Sequence, residues 1–172
     1  MTEQQPYEVV QRFRDFEVRE YPASTVVEVT VAGSFENAGS RAFGSLFGYI
    51  SGRNQASQSI SMTAPVLQGT ASGGAHAVAF VLPADIPADQ APTPNDDSLV
   101  VRPMAATTTA AIGYSGRWTQ GSYDRHCAML LGAVAREGFA TVGEPRFARY
   151  NPPFTPWFLR RNEVLVDIAT GG

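Results

Sequence analysis

The chain of 172 residues lacks most of the groups on which disulfide-rich, metal-binding and membrane-spanning proteins depend. Cys127 is its only cysteine, which excludes an intramolecular disulfide and a cysteine-based metal site. No apolar run reaches the roughly 18 residues of a membrane-spanning helix. The first residues have neither the basic nor the apolar region of a signal peptide. Together with the single cysteine, these absences predict a cytoplasmic protein without a membrane span.

Clustered charge is also scarce. The net charge is −3, and no basic run is longer than Arg160–Arg161. A nucleic-acid partner is therefore not expected, because phosphate backbones are bound by clustered basic residues. A hydrophobic content of 44% in a chain of this length instead predicts one globular domain with its own core, over residues 1–172.

The residue combinations of enzyme active sites are missing as well. His126 and Cys127 are adjacent on a predicted helix, where side chains diverge by about 100°, so they are not expected to form a base–nucleophile pair. The glycine-rich turn at 71–75 lacks the lysine and the following helix of a phosphate-binding loop. The acidic residues of the 84–97 loop lack the spacing of a calcium-binding loop and are interpreted as solvated charge. No metal site, and no catalysis by the protein's own side chains, is expected.

The chain does contain a series of short strands interrupted by two helices. Helical spacing predicts helices over residues 35–52 and 120–137, with Ser34 and Thr119 as N-caps. Strands are predicted near residues 7–13, 16–21, 24–33, 59–67, 76–83, 99–104, 106–116, 146–150 and 163–168. The order strand, helix, strand, strand occurs twice, in halves over about 22–83 and 99–168. We therefore expect an α+β fold, in which two such halves form a distorted eight-stranded antiparallel β-barrel with two flanking helices.

The first predicted helix has two unequal faces. Its core face holds Phe35, Ala38, Ala42, Leu46, Tyr49 and Ile50. Ser40, Gly44 and Gly48 form a second face with almost no side chains, Phe43 lies at the margin of the core face, and Phe47 lies well outside it. Glycine inside a helix costs about 1 kcal/mol relative to alanine, so the bare face needs a reason. Either another chain segment packs closely on it, or a flat aromatic ligand lies there with the two phenylalanines at its edge.

The second predicted helix is more ordinary. Its core face holds Tyr123, Cys127, Leu130, Leu131 and Val134. Met129 points outward and His126 flanks the core. Cys127 is therefore interpreted as a small buried hydrophobe rather than as a nucleophile.

The stretch YNPPFTPWFLRRNEVLVDI, from Tyr150 to Ile168, is a stiff aromatic loop followed by a strand. Its three prolines remove backbone donors and hold the chain extended, which excludes a helix. Loops are normally polar, so Phe154, Trp157 and Phe158 need an explanation. Either these rings close a core, or they form one wall of an apolar site.

Four segments in this order resemble the SOUL haem-binding family. They are YEVVQRFRDFEVREYPAS at the start, GRNQASQSISMTAPV in the middle, YSGRW before the second helix, and YNPPFTPWFLRRNEV near the end. The resemblance covers nearly the whole chain. It implies the two-half barrel described above, and non-catalytic binding, buffering or transport of haem or a related tetrapyrrole.

The resemblance also implies where the ligand lies. The family groove is shallow and apolar, with one wall on the first helix and the other on the proline-rich loop. Carried onto this chain, the ligand-binding residues are Ser40, Phe43, Gly44, Phe47, Gly48, Phe154, Trp157, Phe158 and Arg160. Haem would be held non-covalently and weakly ligated, because Met62, His76 and His126 are not placed as strong axial ligands.

This chain departs from the family pattern at the haem propionates. Ser40, Gly48 and Thr155 stand where haem binders of this type offer basic residues. The arginines that remain nearby are Arg41, Arg53, Arg160 and Arg161. Arg160 and Arg161 either meet the ligand or fix the loop by pairing with acidic residues.

Two other functions remain open. The same fold resembles the effector-binding domains of bacterial regulators, which take up amphipathic small molecules. Such a module would use a carboxylate to meet a cationic effector, and Glu163 is the candidate. In the other function, the aromatic loop would anchor a protein–protein interface.

Overall fold

The computed structural model describes residues 3–170, within which the chain forms two helices and eleven strands. The helices are α1 (Phe35–Ile50) and α2 (Gln120–Arg136). The strands are β1 (Glu3–Gln4), β2 (Glu8–Arg12), β3 (Glu17–Tyr21), β4 (Ser24–Val31), β5 (Thr63–Ala64), β6 (Val66–Thr70), β7 (His76–Val81), β8 (Leu99–Met104), β9 (Thr107–Tyr114), β10 (Thr141–Arg149) and β11 (Asn162–Ile168). Short 3-10 turns cover Ser72–Gly74 and Trp157–Leu159. No helix in the described part of the chain is long and apolar enough to cross a membrane.

The strands and helices group into two compact units. The first unit contains residues 3–5 and Ala23–Ala105, and the second contains Pro6–Pro22 and residues 106–170. The second unit is therefore built from two separate stretches of the chain.

The first unit is an antiparallel sheet with α1 packed on it. Its strand order is β6-β7-β4-β8, with Val27 of β4 opposite Phe80 of β7. The pair β1 and β5 adds a short parallel ladder. The core lies between α1 and the sheet. All six residues predicted for the core face of the first helix are buried, and all but Phe35 belong to this core.

The second unit repeats this arrangement with different side chains. Its strand order is β10-β11-β9-β3-β2, and α2 packs on β9, β10 and β11. In the first unit β6 and β7 follow α1 and lie side by side, and β4, which precedes α1, pairs with β7. In the second unit β10 and β11 follow α2 and lie side by side, and β9, which precedes α2, pairs with β11. The predicted strand–helix–strand–strand order is thus present in both units, and the α+β class with antiparallel sheets is confirmed. Closure of the strands into a distorted eight-stranded barrel stays a prediction.

Both predicted N-caps are confirmed. The Ser34 hydroxyl accepts a hydrogen bond from the Asn37 N–H at 3.2 Å, and the Thr119 hydroxyl accepts one from the Ser122 N–H at 3.2 Å. Each bond satisfies a backbone donor that the first helical turn leaves without a partner. The helices end one or two residues before the predicted positions. Gly52, with φ +116°, turns the chain out of α1 in a conformation that favours glycine.

Three sequence predictions need correction. The strand predicted over 59–67 begins only at Thr63, because the buried side chain of Asn54 bonds to the backbone of Ala56 and Gln58 and holds the preceding residues in a loop. The strand predicted near 146–150 begins earlier, at Thr141. Leu131 is not a core residue of α2: it is exposed, and Ala133 is buried instead.

Candidate functional site

The outer face of α1 carries a pair of stacked phenylalanine rings. Phe43 and Phe47 are one helical turn apart, with ring centres 5.4 Å apart and planes inclined by only 14°. Phe43 also meets buried Phe80 edge-on at 6.0 Å, which anchors the pair to the core. Yet 46% of Phe43 and 48% of Phe47 remain exposed. Burial in the core therefore does not explain Phe47, as the helical wheel predicts.

Gly44 lies between the two rings in sequence and leaves open space on the same helix. A Cβ built on Gly44 would meet no atom within 4 Å. Ser40, one turn earlier, is exposed as well. The predicted bare face is real at these two positions, and no segment within residues 3–170 packs on Gly44.

Gly48 differs from Gly44, because the side chain of Arg53 covers it. A Cβ on Gly48 would lie 3.1 Å from Cδ of Arg53, which is tighter than an ordinary contact. The helix end explains this position: the Arg53 N–H bonds back to the Gly48 carbonyl at 2.9 Å and turns the chain over the last helical turn. Close packing thus accounts for Gly48, and it brings one guanidinium group to this end of the face.

Arg41, the other nearby basic residue of the first unit, contacts the turn before α1. Arg41 donates a hydrogen bond to the Ala32 carbonyl at 3.0 Å and lies 3.5 Å from the position of a Cβ on Gly33. Its side chain therefore supports the turn that precedes α1. Arg53 is left as the basic side chain beside the Phe43–Phe47 surface.

The proline-rich loop of the second unit presents its rings to solvent. Phe154 is 86% exposed, and Trp157, Phe158 and Leu159 are exposed as well. Trp157 and Phe158 meet edge-on with ring centres 5.4 Å apart. The rings therefore do not close a core, and the first interpretation of this loop is wrong.

Arg160 fixes the loop that carries these rings. Its Nε donates to the Thr155 carbonyl at 3.0 Å, and a terminal nitrogen donates to the Pro153 carbonyl at 2.8 Å. The Trp157 carbonyl in turn accepts a hydrogen bond from the Gly116 N–H at 3.1 Å. Arg160 thus has a loop-fixing role of the predicted kind, although it bonds carbonyl groups rather than acidic side chains.

Arg161 belongs to a buried ionic network within the second unit. Glu163 is buried and receives two hydrogen bonds from Arg19, at 2.7 and 2.6 Å, and a third from Arg161 at 3.1 Å. Arg19 also bonds Glu17 at 2.7 Å and the Tyr21 hydroxyl at 2.9 Å. The guanidinium of Arg161 lies 3.9 Å from the ring centre of Tyr150.

This network removes Glu163 from the ligand-binding candidates. Burial alone would raise the pKa of Glu163, but the hydrogen bonds and charge of Arg19, with the charge of Arg161, hold its pKa below the ordinary value. The carboxylate is therefore ionised and fully paired inside the protein. It is not open to the cationic effector that the regulator-like function would require.

The three side chains considered as axial ligands, Met62, His76 and His126, each contact residues of their own unit. Met62 is partly buried against the core of the first unit, and His76 meets Phe35 edge-on at 6.3 Å. His126, in the second unit, stacks on Tyr114 at 3.8 Å, and its Nδ1 lies 2.7 Å from the Ser122 carbonyl. Within residues 3–170 there is no group of three or more histidine, cysteine or acidic side chains that could hold a metal ion.

Comparison with known proteins decides the family. A family model described as SOUL heme-binding protein matches residues 2–167, which is nearly the whole chain. The chain belongs to the SOUL heme-binding protein family. The resemblance inferred from its motifs is thereby confirmed.

Curated relatives of this SOUL protein carry related names. Heme-binding protein 1 of Xenopus tropicalis is 28% identical over 156 residues, covering 87% of this chain and 81% of the relative. Heme-binding protein 2 of Mus musculus is 24% identical over 168 residues, covering 88% of this chain and 81% of the relative. Both matches extend along most of the chain.

Solved structures show that the SOUL fold is shared more widely. The C-terminal domain of EcmrR matches with a TM-score of 0.70 at 10% identity, covering 96% of this chain and 99% of that domain. A protein described as a hydrolase from Listeria innocua matches with a TM-score of 0.64 at 9% identity, covering 93% of this chain and 94% of the other. At such low identity these structures show a common fold and nothing about activity.

Sequence reasoning missed two features near the candidate residues. One is Arg53 over Gly48, which depends on the reversal of the chain after α1. The other is a pair of arginines on Trp118, at 4.1 Å for Arg160 and 4.9 Å for Arg149. The first depends on the path of the chain after α1, and the second requires side chains from three separate segments to meet.

Proposed function

We propose that the protein binds haem or a related tetrapyrrole without transforming it, as a carrier, buffer or delivery protein. The stacked, half-exposed pair of Phe43 and Phe47, beside the open space at Gly44, is the observation that carries this proposal. A flat macrocycle on this face would remove both rings from water. Membership of the SOUL family and the names of the curated relatives support the same ligand.

The charge beside this surface suits the ligand. Haem carries two propionate carboxylates, and a guanidinium group binds a carboxylate through paired hydrogen bonds. Arg53, next to Gly48, is proposed to meet one propionate. Ser40 stands at another of the three predicted propionate positions and offers a hydroxyl group without charge.

The aromatic loop of the second unit is proposed as a further haem-contacting surface. Phe154, Trp157 and Phe158 are exposed rings on a loop whose backbone is fixed by Arg160. Rings held in place lose little conformational entropy when a ligand binds. The role of Arg160 here is to position these rings.

Titration with haem tests the ligand and the α1 surface together. We expect a saturable Soret change for the unaltered protein. Phe47→Ala should weaken haem binding by roughly threefold to tenfold, since an aromatic pair contributes about 0.5–1.5 kcal/mol beyond burial. Met129→Ala is the matched control, because Met129 is a large side chain on α2 with the same 48% exposure. No saturable absorbance change up to tens of micromolar haem would contradict the proposal.

The same titration tests the aromatic loop by itself. Trp157 and Phe158 also form an aromatic pair, so we expect Trp157→Ala to weaken haem binding by roughly threefold to tenfold. Unchanged haem affinity in Trp157→Ala would remove the loop from the site.

The proposal includes the absence of catalysis. Holding and releasing a tetrapyrrole requires no general acid, general base or nucleophile. We expect haem incubated with a reductant in air to be lost no faster with the protein than without it. Turnover of haem that a single side-chain substitution abolishes would contradict this part of the proposal.

A further inference from the structure

Two arginine side chains of the second unit contact the ring of one tryptophan. The guanidinium carbons of Arg160 and Arg149 lie 4.1 Å and 4.9 Å from the ring of Trp118. The indole itself is held in place, because its Nε1 donates to Asn162 Oδ1 at 2.8 Å and Asn162 is buried. Two guanidinium groups therefore contact the same fixed aromatic ring.

Neither arginine has an anionic partner among the residues that the structure describes. Throughout residues 3–170, the ion pairs involve other arginines, namely Arg19, Arg102, Arg136, Arg146 and Arg161. Arg160 bonds only neutral carbonyl groups. In the described part of the chain, the Nε of Arg149 is buried without a hydrogen-bond partner. A buried donor without a partner is destabilising, and so is the repulsion between two neighbouring cations.

The electrostatic surroundings point in the same direction. Burial, with the charge of Arg160, lowers the pKa of Arg149 to about 10. Arg19 shows the opposite behaviour in the same unit: burial would lower its pKa, but the hydrogen bond and charge of Glu163 raise it above the ordinary value. The difference between the two arginines is the presence of an anion beside Arg19.

We propose that Arg149 and Arg160, held over Trp118, bind an oxyanion of the carboxylate or phosphate class. A guanidinium group matches the geometry of both anions through parallel N–H···O bonds. A bound anion would offset the repulsion between the two cations. This site lies within the second unit and does not depend on haem binding by α1.

Tryptophan fluorescence gives a direct test. The chain has two tryptophans, so Trp157→Phe leaves Trp118 as the single reporter. Sodium acetate and sodium phosphate are titrated separately at constant ionic strength, with sodium chloride as the replaced salt. We expect a saturable change with at least one oxyanion, and the stronger of the two identifies the carboxylate or the phosphate class as the ligand.

Removal of one arginine completes the test in the same background. Arg149→Gln should weaken oxyanion binding by about tenfold or more, because charge-assisted hydrogen bonds are lost. Arg125→Gln is the control, since it removes an exposed charge from α2 of the same unit and should change the affinity by less than about twofold. Equal effects of the two substitutions, or no saturable change with either oxyanion, would overturn the proposal.

A second measurement avoids substitution, in case Arg149→Gln does not fold. In ¹H–¹⁵N spectra of the unaltered protein, the Arg149 Nε–H signal should shift with added phosphate or acetate and then saturate. The Arg125 Nε–H signal should not shift. A linear drift of both signals would indicate nonspecific screening by salt and would overturn the proposal.

Discussion

The two units share the arrangement of three strands around a helix but differ in their buried charges and exposed aromatic rings. In the first unit the buried polar side chains are neutral, such as Asn54 and Gln68, whereas in the second Arg19 and Glu163 are both buried. The first unit places two phenylalanines on the outer face of its helix, whereas α2 carries mainly polar residues, Met129 and Leu131 there. The fold therefore constrains the inner faces of the helices and leaves the outer faces free for function.

Breaking the buried ion pair between Arg19 and Glu163 should produce the largest loss of stability. Such a loss would show that the second unit depends on buried charge. We expect Arg19→Met to lower the free energy of unfolding by about 3–5 kcal/mol, because Glu163 is left buried with one weaker partner. Urea denaturation at pH 7 measures the difference.

The matching control lies in the first unit. Arg102→Met breaks the ion pair with Glu28, 2.9 Å long, in which Arg102 is exposed. This change should cost no more than about 1 kcal/mol. If the two substitutions have similar effects, the contrast between the units does not extend to their stability.

The second largest effect should come from the inner face of α1. Leu46 is fully buried, so Leu46→Ala should cost about 2–5 kcal/mol. Leu131 on α2 is 37% exposed, and Leu131→Ala should cost less than about 1 kcal/mol. Thermal and urea unfolding of the two variants compare the helices directly, and a larger loss at Leu131 would reverse the assignment of their faces.

Acid should weaken the second unit through Glu163. The pKa of Glu163 is lower in the folded than in the unfolded protein, where it is about 4.3. Its contribution to stability is therefore fully present above the unfolded value and is lost as pH falls through the folded value. We expect Glu163→Gln to flatten the decline of unfolding free energy below about pH 5.

Chemical denaturation at several pH values, for the unaltered protein and the Glu163→Gln variant, tests this expectation. Glu28→Gln provides the control from the first unit, because its carboxylate is only partly buried and faces an exposed arginine. Parallel curves for all three proteins would show that Glu163 does not contribute to acid sensitivity.

Gly44→Leu should have the smallest effect on stability among these substitutions, together with a large effect on haem binding. Gly44→Leu should leave stability unchanged or raise it by up to about 1 kcal/mol, because leucine is the better helix former and its Cβ would meet no atom within 4 Å. The new side chain would fill the space beside Phe43 and Phe47 and prevent haem from lying there. Soret titration and thermal unfolding measure both results.

Gly121→Leu is the corresponding change on α2. Gly121 is also exposed and helical, and a Cβ added to it would meet no atom within 4 Å. The substitution should have a similarly small effect on stability and none on haem binding. Unchanged haem uptake in Gly44→Leu would mean that the ligand lies elsewhere.

Much of the fold could be predicted from local patterns. The inner face of α1 follows directly from helical spacing, and Ser34 and Thr119 are recognisable as caps from their positions before the helical runs. The early start of β10 was not predictable in this way. Gly143, with φ +76°, and Pro145 interrupt the alternating pattern, and the register shifts between Val142 and Arg146. Such a bulge is stabilised by pairing with β11, which local sequence does not reveal.

In the candidate site, too, the features set by local sequence could be predicted and those set by the path of the chain could not. The exposure of Phe47 could be predicted, because it depends only on its angle around α1. The cover of Gly48 by Arg53 could not be predicted, since it depends on the path of the chain after the helix. Nor could the pairing of Arg19 with Glu163, which are 144 residues apart. Alternation in β3 and β11 marks strands but does not identify their partners.

The second unit, which is made from two separate parts of the chain, has a consequence for synthesis on the ribosome. Strand β3 pairs with β9, placing Val18 opposite Ala110, and Arg19 requires Glu163. At about 5–20 residues per second, Glu163 is made roughly 7–30 s after Arg19. Throughout that interval Phe16 and Val18 lack part of the core that buries them, because this core includes Val164 and Val166 of β11. The N-terminal segment of the nascent chain therefore exposes apolar side chains until synthesis of the second unit is nearly complete.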